Sequence, residues 1–237
     1  MKKLFMLLTV VVAINLQVWP AHAIPLGDLI DTNGEIVQGD KLFTNFELSN
    51  IVTNSPIIPG SPDLIEIQGV TNILGEHGLR LLGPFQATST PADFQGVLGF
   101  FLEYDVTVTD PQFLIHDSRH AFSFTSIGSG SVNLTNQAGF SPTLNADNIQ
   151  SVEGFGDNGV VNEEQPFFNN VSSQHMFHLI EFRAETTNPG GVQTFAAINV
   201  PSIDLTFSQV PVPEPSTWLL LGTGIAGLAL WRRHQKI

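Results

Sequence analysis

The stretch Phe101–Thr109, FLEYDVTVT, sets Leu102, Tyr104, Val106 and Val108 against Glu103, Asp105, Thr107 and Thr109 in strict alternation. Successive strand residues face opposite ways, so the pattern predicts a β-strand with one face in a core and one in solvent. Asp110-Pro111 follows as a turn signal. Working outward, IDLTFSQ (203–209) repeats the pattern with Ile203, Leu205 and Phe207 inward. HLIEFRAET (178–186) does so with Ile180, Phe182 and Ala184 opposed to Glu181, Arg183 and Glu185. Further strand-like runs are Leu42–Leu48, Leu64–Val70, Leu79–Ala87, Gln95–Phe100, Phe113–His116, Ala121–Ile127, Ser131–Thr135 and Gln193–Val200.

Gly, Pro, Asn, Asp and Ser punctuate the gaps, and no window of this region carries a sustained apolar stripe of helical period. The expected fold is therefore mainly β: a single antiparallel β-sandwich, jelly-roll-like or immunoglobulin-like, over residues 24–209. The absence of a sequence period argues against a β-solenoid. Gln137–Asn170, rich in Asn, Gly, Asp and Glu, predicts long loops, which is where sandwiches carry function.

Residues 24–209 number 186 by subtraction, enough for one domain with a real core. Their only basic residues are Lys41, Arg80, Arg119 and Arg183. Four basic against 21 acidic residues give a formal charge of −17, since Glu214 alone of the 22 acids lies outside. Such a surface repels nucleic-acid phosphates, so no nucleic-acid partner is expected. Anionic polysaccharide is repelled as well, unless divalent cations bridge the two. The chain has no cysteine, which removes disulfides, thiol chemistry and thiolate-bound zinc. Eighteen Phe against one Tyr point to a core filled by apolar rings.

At the N-terminus, Lys2 and Lys3 precede an apolar run from Leu4 to Ile14, and Ala21-His22-Ala23 places small residues where a signal peptidase reads them. The expected signal peptide is 1–23, with Ile24 first in the mature chain. The C-terminus holds Gly222-Thr-Gly224-Ile-Ala-Gly227, a match to the dinucleotide-binding glycine pattern. That pattern needs a returning strand and a ribose-binding acid about 20 residues on. Only ten residues follow Gly227, so neither can be built.

A membrane helix uses every residue of the segment. Trp218 and Trp231 bracket an uncharged run at headgroup level, and Arg232 and Arg233 stop it with the terminus on the cytoplasmic side. At about 1.5 Å per residue the run reaches about 21 Å, short of a hydrocarbon core near 30 Å. A short span suits a temporary hold. Just upstream, Val210-Pro-Val-Pro-Glu-Pro215 is extended by its alternate prolines, as a stiff spacer or a strip that a protease can grip.

Val212-Pro-Glu-Pro-Ser216, a short apolar helix, then Arg232-Arg233 at the chain end closely resembles the PEP-CTERM sorting signal. The resemblance implies processing by an exosortase, an integral-membrane enzyme of Gram-negative bacteria that make exopolysaccharide. Pro213, Glu214 and Pro215 inherit the role of the processing site. The implied layout is signal peptide 1–23, extracytoplasmic sandwich 24–209 and sorting signal 210–237.

Candidate chemistry within the domain is sparse. His116 and His120 stand four apart and His175 and His178 three apart; on helices each pair could share a zinc ion, but the surroundings read as strands and turns. Asp31-Thr-Asn33-Gly34-Glu35, and Asp157 with Glu163 and Glu164, offer hard oxygen donors beside glycine turns. The second group is the better calcium candidate, although both read equally as plain turns. No nucleophile-elbow motif occurs.

The reading that follows is an exported, non-enzymatic protein of the cell surface or exopolysaccharide matrix. Its expected partners are signal peptidase, exosortase, a transient membrane hold and exopolysaccharide, with no cofactor beyond the calcium candidate. The alternatives are a secreted polysaccharide-processing enzyme, which needs two carboxylates facing across a cleft, and a carbohydrate- or calcium-binding adhesion module.

Overall fold

The computed structural model describes residues 22–53, 61–90, 95–127, 129–138, 150–155, 158–185 and 195–212, with Thr223 and Ile225. The expected signal helix and nearly all of the sorting signal lie outside the described residues. Among the described residues no helix is long and apolar enough to cross a membrane.

In chain order the strands are β1 (Ile24–Pro25), β2 (Ile36–Gln38), β3 (Lys41–Thr53), β4 (Glu66–Thr71), β5 (His77–Ser89) and β6 (Gln95–Val108). They continue with β7 (Phe113–Ile127), β8 (Ser129–Ala138), β9 (Gln150–Phe155), β10 (Asn158–Val171), β11 (Ser173–Glu185) and β12 (Ala196–Pro211). A short helix, α1 (Leu26–Asp31), tucks Leu26 and Leu29 into the core. The strands form two sheets of six, ordered β1-β4-β5-β12-β7-β10 and β2-β3-β6-β11-β8-β9. Every described pairing is antiparallel.

The alternation at the centre of the sequence does what its chemistry dictates. Leu102, Tyr104, Val106 and Val108 of β6 are buried, as are Ile180, Phe182 and Ala184 of β11 and Ile203, Leu205 and Phe207 of β12. These side chains meet between the sheets. Phe85 of the first sheet stacks on Phe100 and Phe182 of the second, each at 5.8 Å between centroids, and Phe207 meets Phe43 at 6.0 Å. Offset aromatic contacts of this kind add to the stabilisation that burial alone supplies. Two antiparallel sheets closing on one apolar layer make a β-sandwich.

Several expected runs fuse. Gln95–Phe100 and Phe101–Val108 are one strand, and Phe113–His116 continues into Ala121–Ile127 through a bulge. The pairing of β12 with β7 steps from Ser208↔Asp117 to Gln209↔Ile115, leaving His116 as the extra residue. A bulge resets the side-chain alternation. Ile115 is buried before it, and Ser118, His120, Phe122 and Phe124 after it, with Asp117, opposite Ser208, buried as well. A second irregularity, between Val200 and Ser202 of β12, accommodates Pro201 inside an inner strand.

The segment expected as long loops, Gln137–Asn170, contains β9 and most of β10 instead. Each is the outermost strand of its sheet. Edge strands carry charged residues and proline without penalty, so Glu163, Glu164 and Pro166 conceal β10 from a reading based on apolar alternation. At the other end, β12 runs through Val210 and Pro211, two residues past the expected domain boundary, and the Val212 amide donates to Gln112 O at 2.7 Å.

Candidate functional site

The outer face of the first sheet carries a cleft of about 300 Å³ beneath the β4–β5 hairpin loop. Its floor is set by strand register. Arg80 of β5 lies opposite Asp204 of β12, which lies opposite Ala121 of β7; one row along, Gly78 lies opposite Thr206, which lies opposite Arg119. Ala121 is small where Arg80, Arg119 and Asp204 around it are long, and that difference opens the space. Gly78 has no alternative, since a Cβ there would stand 2.0 Å from the carbonyl oxygen of Leu205.

Two arginines wall the cleft, each paired with a carboxylate: Asp204, itself in the lining, and Glu76, which lines the neighbouring cavity. Arg80 donates from Nε to Asp204 Oδ1 at 2.6 Å and from Nη2 to Oδ2 at 2.7 Å, a planar two-point pair. The Nη1 group takes no part in that pair, and 38% of the Arg80 side chain is exposed. Arg119 donates from Nε to Glu76 Oε2 at 3.1 Å, both side chains being largely buried. The same Glu76 oxygen accepts from Asn72 Nδ2 and, at 3.4 Å, from Thr206 Oγ1. Two of the four basic residues of the 24–209 segment therefore stand side by side, each neutralised by its own carboxylate.

The roof is rigid. Asn72 Oδ1 accepts from the amides of Leu74 and Glu76, the Asn72 amide donates to Glu76 O at 2.9 Å, and Gly75 closes the turn at φ +83. A left-handed residue at that point favours glycine. The locked turn holds Ile73 and Leu74 in solvent at 99% and 61% exposure, on the lip of the cleft.

Beyond the loop lies a second cavity of about 300 Å³ that includes Lys41. The lysine side chain is buried, and its Nζ donates to Asp40 Oδ1 and Gln209 Oε1, each at 2.7 Å. On the outer face of the second sheet Phe101 and Phe177 pack at 4.9 Å between centroids. Both are half-buried.

The histidines separate from their sequence partners. The bulge sends His116 outward, where Nδ1 meets Asn170 Oδ1 at 2.8 Å, and His120 inward. His175 faces out, with Nδ1 2.7 Å from Asp105 Oδ1, while His178 faces in, 2.9 Å from the Tyr104 hydroxyl. The two inward histidines meet across the sandwich. Burial holds the His120 imidazole down at about 4 and drives His178 well below its usual value, with His120 and His175 adding like-charge repulsion. The Tyr104 hydroxyl is pushed well up by the same burial.

Asp31-Thr-Asn33-Gly34 forms the end of α1: Asn33 takes φ +48, and the Thr32 and Gly34 amides donate to Asp28 O and Leu29 O. This is a helix C-terminal turn. Glu163 and Glu164 fall in regular strand register opposite His120 and Arg119, and Asp157 lies outside the described residues. Among the described residues no group of three or more His, Asp or Glu side chains is placed to hold a metal ion. Ala23 abuts β1. Ala21, Pro213, Glu214, Pro215, Trp218, Trp231, Arg232 and Arg233 lie outside the described residues.

The cleft escaped the sequence reading because its residues come from four strands and a loop, with Arg80 and Asp204 124 positions apart. One signal was available. In a domain with four basic residues, each arginine must have a reason, and two of them share this face.

No curated protein matches the chain. Among solved structures it is similar to TmCBM61 in complex with beta-1,4-galactotriose: 11% identity, 69% of this chain and 88% of that chain, TM-score 0.29. It is also similar to the family 11 carbohydrate-binding module from Clostridium thermocellum in complex with a beta-1,3-1,4-mixed-linked tetrasaccharide: 8% identity, 70% and 88% coverage, TM-score 0.21. Likeness at these scores carries no inference about this chain. Residues 211–233 match the PEP-CTERM protein-sorting motif, and with Pro213, Glu214 and Pro215 inside the match the chain carries the tail of an exosortase substrate.

Proposed function

We propose that this is an exported, non-enzymatic protein of the cell surface or exopolysaccharide matrix. Signal peptidase would cut after Ala23, the 218–231 segment would hold the chain briefly at the inner membrane, and exosortase would release the sandwich. The observation that carries the proposal is the sorting motif at residues 211–233. The strand order supports a jelly-roll reading of the sandwich over an immunoglobulin-like one. From β5 to β12 the chain changes sheets at every connection except β8–β9, giving inner orders β5-β12-β7-β10 and β6-β11-β8-β9.

The non-enzymatic part rests on the cleft. Asp204 and Glu76 are each bound to an arginine, and the two do not face one another across the cleft as a glycoside-cleaving pair must. Mass spectrometry of the protein from its native host tests the sorting. The expected product begins at Ile24 and ends before Trp218, in the surface or extracellular fraction. A protein intact through Ile237 and confined to the membrane would reduce the tail to an ordinary anchor.

A further inference from the structure

We propose that the cleft under the β4–β5 loop binds a neutral pyranoside, gripping a vicinal diol between the Arg80–Asp204 pair and Arg119, whose charge Glu76 neutralises from behind the cleft. The charges decide the ligand class. An anion would meet two carboxylates already in place, and a cation two guanidinium groups, so neither gains a net partner. What the pairs leave over is hydrogen-bonding capacity of both signs. Nη1 of Arg80 donates, and Asp204 retains lone pairs beyond those Arg80 uses. Adjacent hydroxyls of a sugar ring, each able to donate and accept, are the complement to such a surface.

The shape agrees with the chemistry. A volume of about 300 Å³ admits a single ring, and small ligand sites begin at about that size. The floor is low because Ala121 lies between Arg119 and the Arg80–Asp204 pair. Ile73 and Leu74 add an aliphatic lip that would lie along the C–H face of the ring, and their turn is held by bonds from Asn72. The turn that carries these two apolar side chains is already ordered, so contact does not have to order the backbone, which favours binding. Arg119 and Glu76 are tied to the loop through Asn72, so the roof and the wall form one rigid frame.

The inference is independent of how the tail is processed, because binding is read on the purified chain in either state. Saturation-transfer difference NMR suits weak binding and needs no labelled protein. The probes are the methyl β-glucoside, β-galactoside and α-mannoside, which present trans and cis diols, with methyl α-galacturonate as the anionic comparison. At least one neutral glycoside should give a transfer signal at millimolar concentration and exceed the galacturonate. Ala121→Leu, which fills the floor and keeps every charge, should weaken that signal at least tenfold. Ile73→Ser with Leu74→Ser, confined to the exposed lip, should weaken it severalfold, and this variant keeps the test open if Ala121→Leu fails to fold. No signal from any neutral glycoside, or a stronger one from the galacturonate, overturns the proposal. So does a signal that survives both variants, or one that is instead lost on Phe177→Ala across the sandwich.

Discussion

His120 of the first sheet and His178 of the second meet edge to face between the layers, their ring centroids 5.6 Å apart. Both are buried. Among the described residues neither nitrogen of His120 has a hydrogen-bond partner, nor has Nδ1 of His178. Only Tyr104 reaches the pair, through His178 Nε2 at 2.9 Å. Such a pair must stay uncharged, because a proton on either ring would be neither solvated nor compensated.

Stability should therefore fall as the pH is lowered. The unfolded chain protonates His120 near 6.5, while the folded chain resists until about 4. Between those values the unfolded state holds more protons, so stability is complete above 6.5 and declines toward 4. The His120 share of the loss is roughly 3 kcal/mol. Urea unfolding midpoints at pH 7.5 and 4.5 measure it. His120→Leu should flatten the dependence; an unchanged slope in that variant would remove His120 from the account.

Tyr104→Phe removes the one partner of the histidine pair and leaves Nε2 of His178 buried with nothing to bond. The expected cost is about 1–3 kcal/mol at neutral pH, with the overall fold unchanged by circular dichroism.

Phe85 is the ring on which both Phe100 and Phe182 stack. Phe85→Ala should cost about 3–5 kcal/mol. Arg183→Ala, which removes a surface pair with Glu181 at 2.6 Å, should change stability by less than about 1 kcal/mol. The contrast is measurable in one set of thermal melts. Comparable losses from both variants would contradict the burial assigned to Phe85.

In the tail, Glu214 is the sole charge of the strip from Val210 to Ser216 and stands between two prolines. Glu214→Ala should leave a longer, membrane-retained form in the native host. Gly224→Ala should be processed normally, since a membrane helix does not need the close backbone approach of a phosphate loop. Immunoblots of membrane and extracellular fractions separate the two outcomes.

How much of this was legible depended on where each residue sits. Leu102–Val108 could be read because β6 is an inner strand whose two faces meet a core and water. Strand β10 could not, because an edge position removes the pressure for apolar alternation that the reading relies on. The histidines failed for a different reason. His116 and His120 keep the same parity in sequence, and one inserted residue places them on opposite faces. Nothing local announces that bulge. The cleft depends on the register between β5, β12 and β7, a property of tertiary pairing and not of any one segment. The sorting motif was the most legible feature because it is contiguous and is recognised as a linear string.

Strand β12 lies between β5 and β7, and it is the last strand among the described residues. Export threads a polypeptide from its N-terminus, so β5 and β7 emerge with a vacant seat between them. The first sheet has no continuous middle until Pro211 has crossed. Its neighbours must be kept apart from other unpaired edges during that interval, which invites misassembly in proteins with long-range pairing. The sorting segment follows β12 directly. A chain held there by its sorting signal would have its final strand just outside the bilayer, free to dock while its end is still tethered, and a pause before release would then coincide with the step that completes folding.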